Sequence, residues 1–333
     1  MAEPQLKDST SFYPASYRDC WPRPLSPLST GFELQEVARI YKSGVEVFLD
    51  SDFLPNYPLT ESTFQILDQF LPQLLEEGRW KNYQVLEIGD MNVGTHTLRQ
   101  AGITAQALYW DVKELGLTYL ERDSMVAAGL LHDLGELATG DITYELKRRG
   151  NKRDFDLAEA EAVMNMIDDL EGSMQDKAQL KEVYLRITTS LEDADINSLM
   201  ETSSSLEEEV NWPLLRKLFT LYERYGFLIT AVEQWPFPIS GRVNLSAKDL
   251  ESVKKWNRAE LEEALDRGEE VSGDVRAAVL MKNVLLNQWP HLVQAANEGI
   301  PSVGIFFRNN LAVPVIIKAN ELMVLNLDTS LLA

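Results

Sequence analysis

The segment from Asp123 to Gly140 constrains the fold of this chain more than any other. Its apolar residues recur at helical spacing, which predicts a helix with one buried side that begins at Asp123 as N-cap and stops at Gly140. These residues are Met125, Val126, Leu130, Leu131, Leu134 and Leu137. The same run holds an adjacent histidine and aspartate, His132 and Asp133. Because ionisable side chains are costly to bury without a partner, the pair predicts either a hydrogen-bonded core pair or a metal site.

The residues around this pair favour a binding site. On a helix, Glu136 shares a face with His132 and Asp133, since positions three and four apart are neighbours. The residues that surround this cluster are small, namely Ala128, Gly129 and Gly135. Small residues around a His-Asp-Glu cluster predict space for a ligand.

Most of the remaining chain also has helical periodicity. Helices are predicted within 32–77, where Pro55 and Pro58 separate two segments, from Asn92 onward, and at 156–170, 175–191, 212–234, 247–267 and 273–298. The Ser-rich, acidic stretch 191–209 is predicted to be a loop or insertion. Three short strands are predicted near the C-terminus, at 303–307, 311–317 and 322–325.

Composition and charge limit the possible partners. Of the 333 residues, 45% are apolar and 25% charged, which is typical of a soluble globular protein. We find no apolar stretch long enough to span a bilayer, no secretory signal and a single cysteine, Cys20, so we expect a cytoplasmic protein without a membrane partner. A net charge of −21 argues against long nucleic acid as a partner, but it is compatible with a small phosphate ester at a locally positive site.

A second histidine strengthens the case for a metal. The chain has three histidines, and His96 lies on the helix that should pack against the one carrying His132. Two imidazoles and a carboxylate are a common ligand set for a divalent transition metal.

With these residues in place, the sequence resembles the HD-domain metal-dependent phosphohydrolases, in particular the small bacterial 5′-deoxynucleotidases. The resemblance spans roughly residues 79–234. The matching strings are Arg79-Trp80, Asn92-Val-Gly-Thr-His96, His132-Asp-Leu-Gly-Glu136-Leu-Ala-Thr-Gly-Asp141 and, six residues further on, Lys147.

The resemblance implies a role for each matching residue. His96, His132 and Asp133 would be metal ligands, and Glu223 would be the fourth, at a position where the family has aspartate. The competing candidates for that fourth position are Asp193 and Asp195.

The same resemblance implies the catalytic and substrate-binding residues. Glu136 would act on the attacking water or the leaving oxygen, and Asp141 would help to position it. Arg79 and Lys147 would contact the phosphate, and Trp80 would pack against the sugar.

The expected fold is mainly α, with an HD-domain-like helical bundle at residues 61–236. An extended N-terminal arm and helix would occupy 1–60. A C-terminal α+β extension with a small β-hairpin or meander would occupy 237–333. These extra regions could cover the pocket or form a homodimer.

The resemblance implies hydrolysis of a nucleotide phosphate ester, specifically a (deoxy)nucleoside 5′-monophosphate, with a divalent ion (Mn, Co, Fe, Mg or Zn) as cofactor. One alternative is a catalytically weak or inactive nucleotide-binding or structural protein of HD type. A second is a di-iron oxygenase, which needs additional histidines, and only His291 remains.

Overall fold

The computed structural model describes residues 57–78, 92–140, 151–200, 210–234 and 245–309, with short pieces at 39, 42–43, 45–46, 316–317, 320–321 and 324–329. These ranges are mainly helical, as expected. Their only strand-like pairing is an isolated antiparallel bridge between Gly78 and Asn92. No described helix is both long enough and apolar enough to cross a bilayer.

Twelve α-helices and one π-helical turn make up the longer described ranges. They are α1 (Pro58–Glu76), α2 (Val93–Leu115), α3 (Tyr119–Leu131), α4 (Glu136–Thr139), α5 (Lys152–Asp168), α6 (Met174–Val183), the π turn (Tyr184–Thr188), α7 (Asp193–Leu199), α8 (Trp212–Gln234), α9 (Ala247–Lys255), α10 (Arg258–Asp266), α11 (Gly273–Asn297) and α12 (Pro301–Asn309).

The centre of the fold is the pair α2 and α3, against which α1 and α8 pack. Gly129 lets the two central helices approach closely, because a Cβ at this position would lie 3.0 Å from Ala101 Cα. The other side of α8 packs against α11. Large side chains such as Met125, Phe219 and Trp289 are almost fully buried in the core, each contributing about 1.5–3 kcal/mol relative to an exposed position.

Two buried aspartates fix helices that lie far away in sequence. Asp123, on α3, accepts hydrogen bonds from the backbone N–H groups of Leu59 and Thr60, both at 2.9 Å. Asp111, on α2, accepts from the backbone N–H and the hydroxyl of Ser302, both at 2.7 Å. Free N–H groups and the positive dipole end at a helix N-terminus favour such carboxylates, which therefore anchor α1 and α12 to the central pair.

The prediction of a strand at 303–307 is wrong, because these residues lie within α12. Pro301 starts this helix, and Asp111 satisfies an N–H group of its first turn. The apolar residues Val303, Phe306 and Phe307 are buried, and their spacing matches one face of a helix. Of the other two predicted strands, residues 316–317 are helical, 324–325 are a turn and irregular chain, and the rest lie outside the described residues.

The predicted helix from Asp123 to Gly140 is also divided differently. Thr118 is the N-cap, its hydroxyl accepting from the backbone N–H of Glu121. The α-helix ends at Leu131, and a tight turn follows before α4. The C-cap of α4 is Gly140, whose φ of +75° is positive. Asp123 has the residue type of an N-cap, but it caps α1 instead of its own helix.

The remaining helix predictions hold to different degrees. The range 212–234 is confirmed in full, and 273–298 ends one residue early, at Asn297. The predicted helix 247–267 is two helices, because Asn257 caps a new one. The predicted loop 191–209 contains the short helix α7, and residues 201–209 lie outside the described part of the chain.

Candidate metal centre

His96 lies in the first turn of α2, and a side-chain cap fixes where that helix begins. Asn92 Oδ1 accepts a hydrogen bond of 2.9 Å from the backbone N–H of Thr95, so Asn92 is the N-cap of the helix that the sequence predicts to begin near it. The N–H of Val93 donates to the carbonyl of Glu77, which joins the start of α2 to the end of α1. His96 is thereby held inside the core, with 4% of its surface exposed.

His132 and Asp133 lie in the tight turn that follows α3. The hydrogen bonds Leu134 N–H to Leu131 carbonyl (3.0 Å) and Glu136 N–H to Asp133 carbonyl (3.1 Å) connect residues three apart instead of four. This tighter winding has a different pitch from the α-helix that the sequence predicts across this segment. Nevertheless, the turn directs both side chains toward the start of α2.

The ligand atoms of His96, His132 and Asp133 lie within 4.8 Å of one another. Asp133 Oδ2 is 3.0 Å from His132 Nε2 and 3.6 Å from His96 Nε2. The side chains of the two histidines are 6% and 4% exposed, and that of Asp133 is 16% exposed. Three of the four predicted metal ligands therefore converge at one buried point.

The tautomer of His132 follows from its other hydrogen bond. Nδ1 lies 2.9 Å from the carbonyl oxygen of Gly129, and because a carbonyl can only accept, Nδ1 must carry the proton. Neutral His132 thus presents the Nε2 lone pair to the carboxylate of Asp133. Two acceptors 3.0 Å apart in a buried position require a cation between them, either a proton or a metal ion.

The pKa of His132 reflects this arrangement. Burial lowers it most, but the charge and hydrogen bond of Asp133, together with smaller contributions from Glu223 and the Gly129 carbonyl, raise the pKa above its ordinary value. The negative potential that these carboxylates create at His132 Nε2 would also attract a divalent cation.

Glu223 lies on α8 and faces the same region, since its charge acts on His132. Phe219, one helical turn earlier, packs edge to face on the His132 ring at a centroid distance of 6.0 Å. However, among the described residues, Glu223 is outside the group whose ligand atoms lie within 4.8 Å. Of the competing candidates, Asp195 is bound to Arg153, and the side chain of Asp193 is 88% exposed.

Glu136 begins α4, and its carboxylate contributes to the field around a buried tyrosine. Burial raises the pKa of Tyr184, and the carboxylates of Glu159, Asp133, Asp156 and Glu136 raise it further. The Tyr184 hydroxyl is therefore protonated at neutral pH and can donate a hydrogen bond. It belongs to the π turn, a distortion that is frequent at functional sites.

The small residues near the pair serve helix packing. A Cβ on Gly135 would lie 2.7 Å from Glu159 Cβ and 3.0 Å from the backbone of Glu159, so Gly135 lets the turn lie directly on α5. Thr139 fixes the same contact through a 2.8 Å hydrogen bond to the Glu159 carboxylate. The interpretation of Gly129 and Gly135 as space for a ligand is thus wrong.

Four predicted site residues, Arg79, Trp80, Asp141 and Lys147, lie outside the described residues. The described residues that come just before Arg79 and Asp141 in the sequence lie close to each other. Gly140 is near the carboxylate of Glu77, since a Cβ there would lie 3.5 Å from Oε1, and Gly78 pairs with Asn92 at the start of α2.

Sequence reasoning missed Tyr184, Phe219 and Glu159. Tyr184 and Phe219 belong to helical apolar patterns typical of any core, and Glu159 resembles a solvated helix position. None carries a local signal, because their proximity to the motif arises only from the packing of α5, α8 and the π turn.

Comparison with known proteins returned no match, whether with protein-family models, curated proteins or solved structures.

Proposed function

We propose that this protein is a metal-dependent phosphohydrolase that acts on a (deoxy)nucleoside 5′-monophosphate. The observation that carries the proposal is the convergence of His96, His132 and Asp133 within 4.8 Å. The resemblance of the surrounding sequence to HD-domain nucleotidases supplies the reaction class.

The residues fit a divalent cation. Two imidazole nitrogens and one carboxylate oxygen suit Mn, Co, Fe or Zn, and Mg less well because it prefers oxygen ligands. The hydrogen bond from His132 Nδ1 to Gly129 orients the ring, as is usual for a metal-ligating histidine. Glu223 would complete the set if its side chain moved toward the other three ligands.

When bound, such an ion supplies positive charge to a phosphoryl oxygen and acidifies a water molecule. Glu136, three residues after Asp133, would accept the proton of the attacking water. Tyr184, held protonated, would donate a hydrogen bond to one of the carboxylates around it, such as Asp133 or Glu136, and keep that carboxylate oriented.

The remaining roles concern the substrate. Arg79 and Lys147 would stabilise the negative charge of the phosphate, which is otherwise repelled by a chain of net charge −21. Trp80 would pack against the sugar, and Asp141 would position Glu136 and the water.

The test is phosphate release from a panel of nucleoside 5′-monophosphates with Mn²⁺, Co²⁺ or Mg²⁺. We expect metal-dependent release by the parent chain, loss of both metal binding and release in Asp133→Ala, and retained metal binding without release in Glu136→Gln. Asp169→Ala removes an exposed carboxylate at the C-cap of α5 and should behave like the parent.

Two results would count against the proposal. Metal binding and nucleotide binding without phosphate release would favour the alternative of an inactive nucleotide-binding protein. Equal release by the parent and by Asp133→Ala would place any activity at another site.

A further inference from the structure

A cavity of about 700 Å³ lies on another side of α8, between this helix, α11 and the segment 186–196. Its volume is in the range of small-molecule binding sites. None of the residues of the candidate metal centre lines it.

The lining of this cavity is basic, in contrast to the acidic chain as a whole. Four cationic side chains line it, against the two carboxylates of Asp193 and Glu298, and His291 lies beside them. These cations are Arg186, Arg216, Lys217 and Arg224. In a chain of net charge −21, such a concentration of positive charge favours a specific anionic ligand.

Two of these arginines are half-buried and bind neutral groups. Arg216 donates to the backbone carbonyl of Thr189, and Arg224 donates to the side-chain carbonyl of Gln288. Neither forms an ion pair with a carboxylate in the described ranges. By contrast, Lys217 is paired with Glu298 at 2.7 Å, and Arg186 is paired with Glu182 at 2.8 Å. Half-buried cations with neutral partners are costly, and an anionic ligand would remove that cost.

The same cavity has an aromatic and apolar part. Trp212 is 8% exposed, and within the part of the chain that the structure describes its buried indole N–H has no hydrogen-bond partner. The guanidinium of Arg186 lies 5.9 Å from the centroid of the indole ring. Ile196, Ala295 and Ile300 contribute apolar surface. An aromatic ligand with hydrogen-bond acceptors would fit this side.

We propose that this cavity is a second ligand site, which binds a small organic polyanion of the nucleoside polyphosphate class. Arg216 and Arg224 lie eight residues apart on α8, which corresponds to a rise of about 12 Å, so they can contact anionic groups at two points of an extended ligand. The base would lie toward Trp212 and its apolar neighbours.

The position of the site connects it to the metal centre. Arg224 directly follows Glu223, and successive helical residues point about 100° apart, so one helix carries residues of both sites. A ligand that draws Arg224 into the cavity would bias the orientation of α8. It would thereby change the distance between Glu223 and the other three candidate metal ligands. Binding at the cavity itself does not require the proposed hydrolase activity.

The test is isothermal titration of the full chain carrying Asp133→Ala, in a metal-chelating buffer, with ATP, ADP, pyrophosphate and adenosine. We expect saturable binding of ATP and ADP, weaker binding of pyrophosphate, and undetectable binding of adenosine. Adding Arg216→Gln or Arg224→Gln should weaken ATP binding about tenfold or more, while Arg216→Lys and Arg224→Lys should retain most of it.

Arg267→Gln is the matched control, since it removes an exposed arginine from the end of α10 and should leave ATP affinity unchanged. Circular dichroism melts would verify that every variant is folded. Absence of saturable ATP binding below about 1 mM, or an equal loss in Arg267→Gln, would overturn the proposal. Binding that is present in the parent and lost with Asp133→Ala would assign the nucleotide to the metal centre instead.

Discussion

Replacing Gly135 with alanine tests whether the packing of the motif turn on α5 sets the geometry of the metal ligands. Gly135 has an ordinary helical backbone, with φ −62° and ψ −23°, so alanine causes no backbone strain there. The added Cβ would instead lie 2.7 Å from Glu159 Cβ, whereas ordinary contacts begin at 3.4 Å. The turn and α5 must therefore separate by about 0.7 Å, the difference between these distances.

Two magnitudes follow from that displacement. Overpacking costs about 1–3 kcal/mol, and the helical preference of alanine over glycine returns about 0.5–1 kcal/mol, so we expect a net loss of up to about 2.5 kcal/mol in the free energy of unfolding. Metal sites tolerate distance errors of about 0.2 Å. Since Asp133 lies two residues before Gly135, metal affinity should fall about 10- to 100-fold.

The assay is isothermal titration with Mn²⁺ or Zn²⁺, together with urea denaturation of the metal-free chain. Gly116→Ala is the matched control. Its φ of +66° makes alanine strained, at about 1–2 kcal/mol, but no atom lies within 4 Å of the new Cβ. The control should lose similar stability and keep its metal affinity. Metal affinity of Gly135→Ala within twofold of the parent would refute the reasoning.

The two capping aspartates give further predictions. Asp111→Ala leaves the Ser302 N–H and the Tyr222 hydroxyl buried without this acceptor, so we expect a loss of about 2–5 kcal/mol in urea denaturation; a loss below about 1 kcal/mol would contradict a role in anchoring α12. Burial raises the pKa of Asp123 from 3.8 to about 6, so its protonation stabilises the fold. The stabilisation that protonated Asp123 gives to the fold is complete below pH 3.8 and is lost as the pH rises through 6. Between pH 4 and pH 7, stability relative to Asp123→Asn should therefore fall by up to about 3 kcal/mol, and a constant difference would contradict the assignment.

The sequence predicted those features that depend on local patterns. The start of a helix near Asn92, the bounds of the helix at 212–234 and the juxtaposition of His96 with His132 and Asp133 follow from apolar spacing and motif residues. Each of these signals lies within one helix or one short motif.

The features that it did not predict depend on contacts between distant segments. Residues 303–307 have the composition of a strand, and they form a helix because Asp111, nearly two hundred residues earlier, caps its first turn. Its residue type places Asp123 at the start of its own helix, because no local pattern shows that the first turn of α1 packs against it and donates an N–H to its carboxylate.

The candidate site shows the same division. His132 and Asp133 are recognisable in the sequence, whereas Tyr184 and Phe219 reach them only through tertiary packing. The distance of Glu223 from the other three ligands depends on how α8 crosses α2 and α3, which no periodicity encodes.

The central claim is that His96, His132 and Asp133 together hold one divalent metal ion. Its most direct test is the metal stoichiometry of the parent chain by equilibrium dialysis against Mn²⁺, Co²⁺ and Zn²⁺, beside His96→Ala, His132→Ala and Asp133→Ala, with His291→Ala as control. We expect one tightly bound ion per chain in the parent and in His291→Ala, and a loss of at least about 100-fold in affinity in each of the other three variants. An unchanged stoichiometry and affinity in any of those three would contradict the claim.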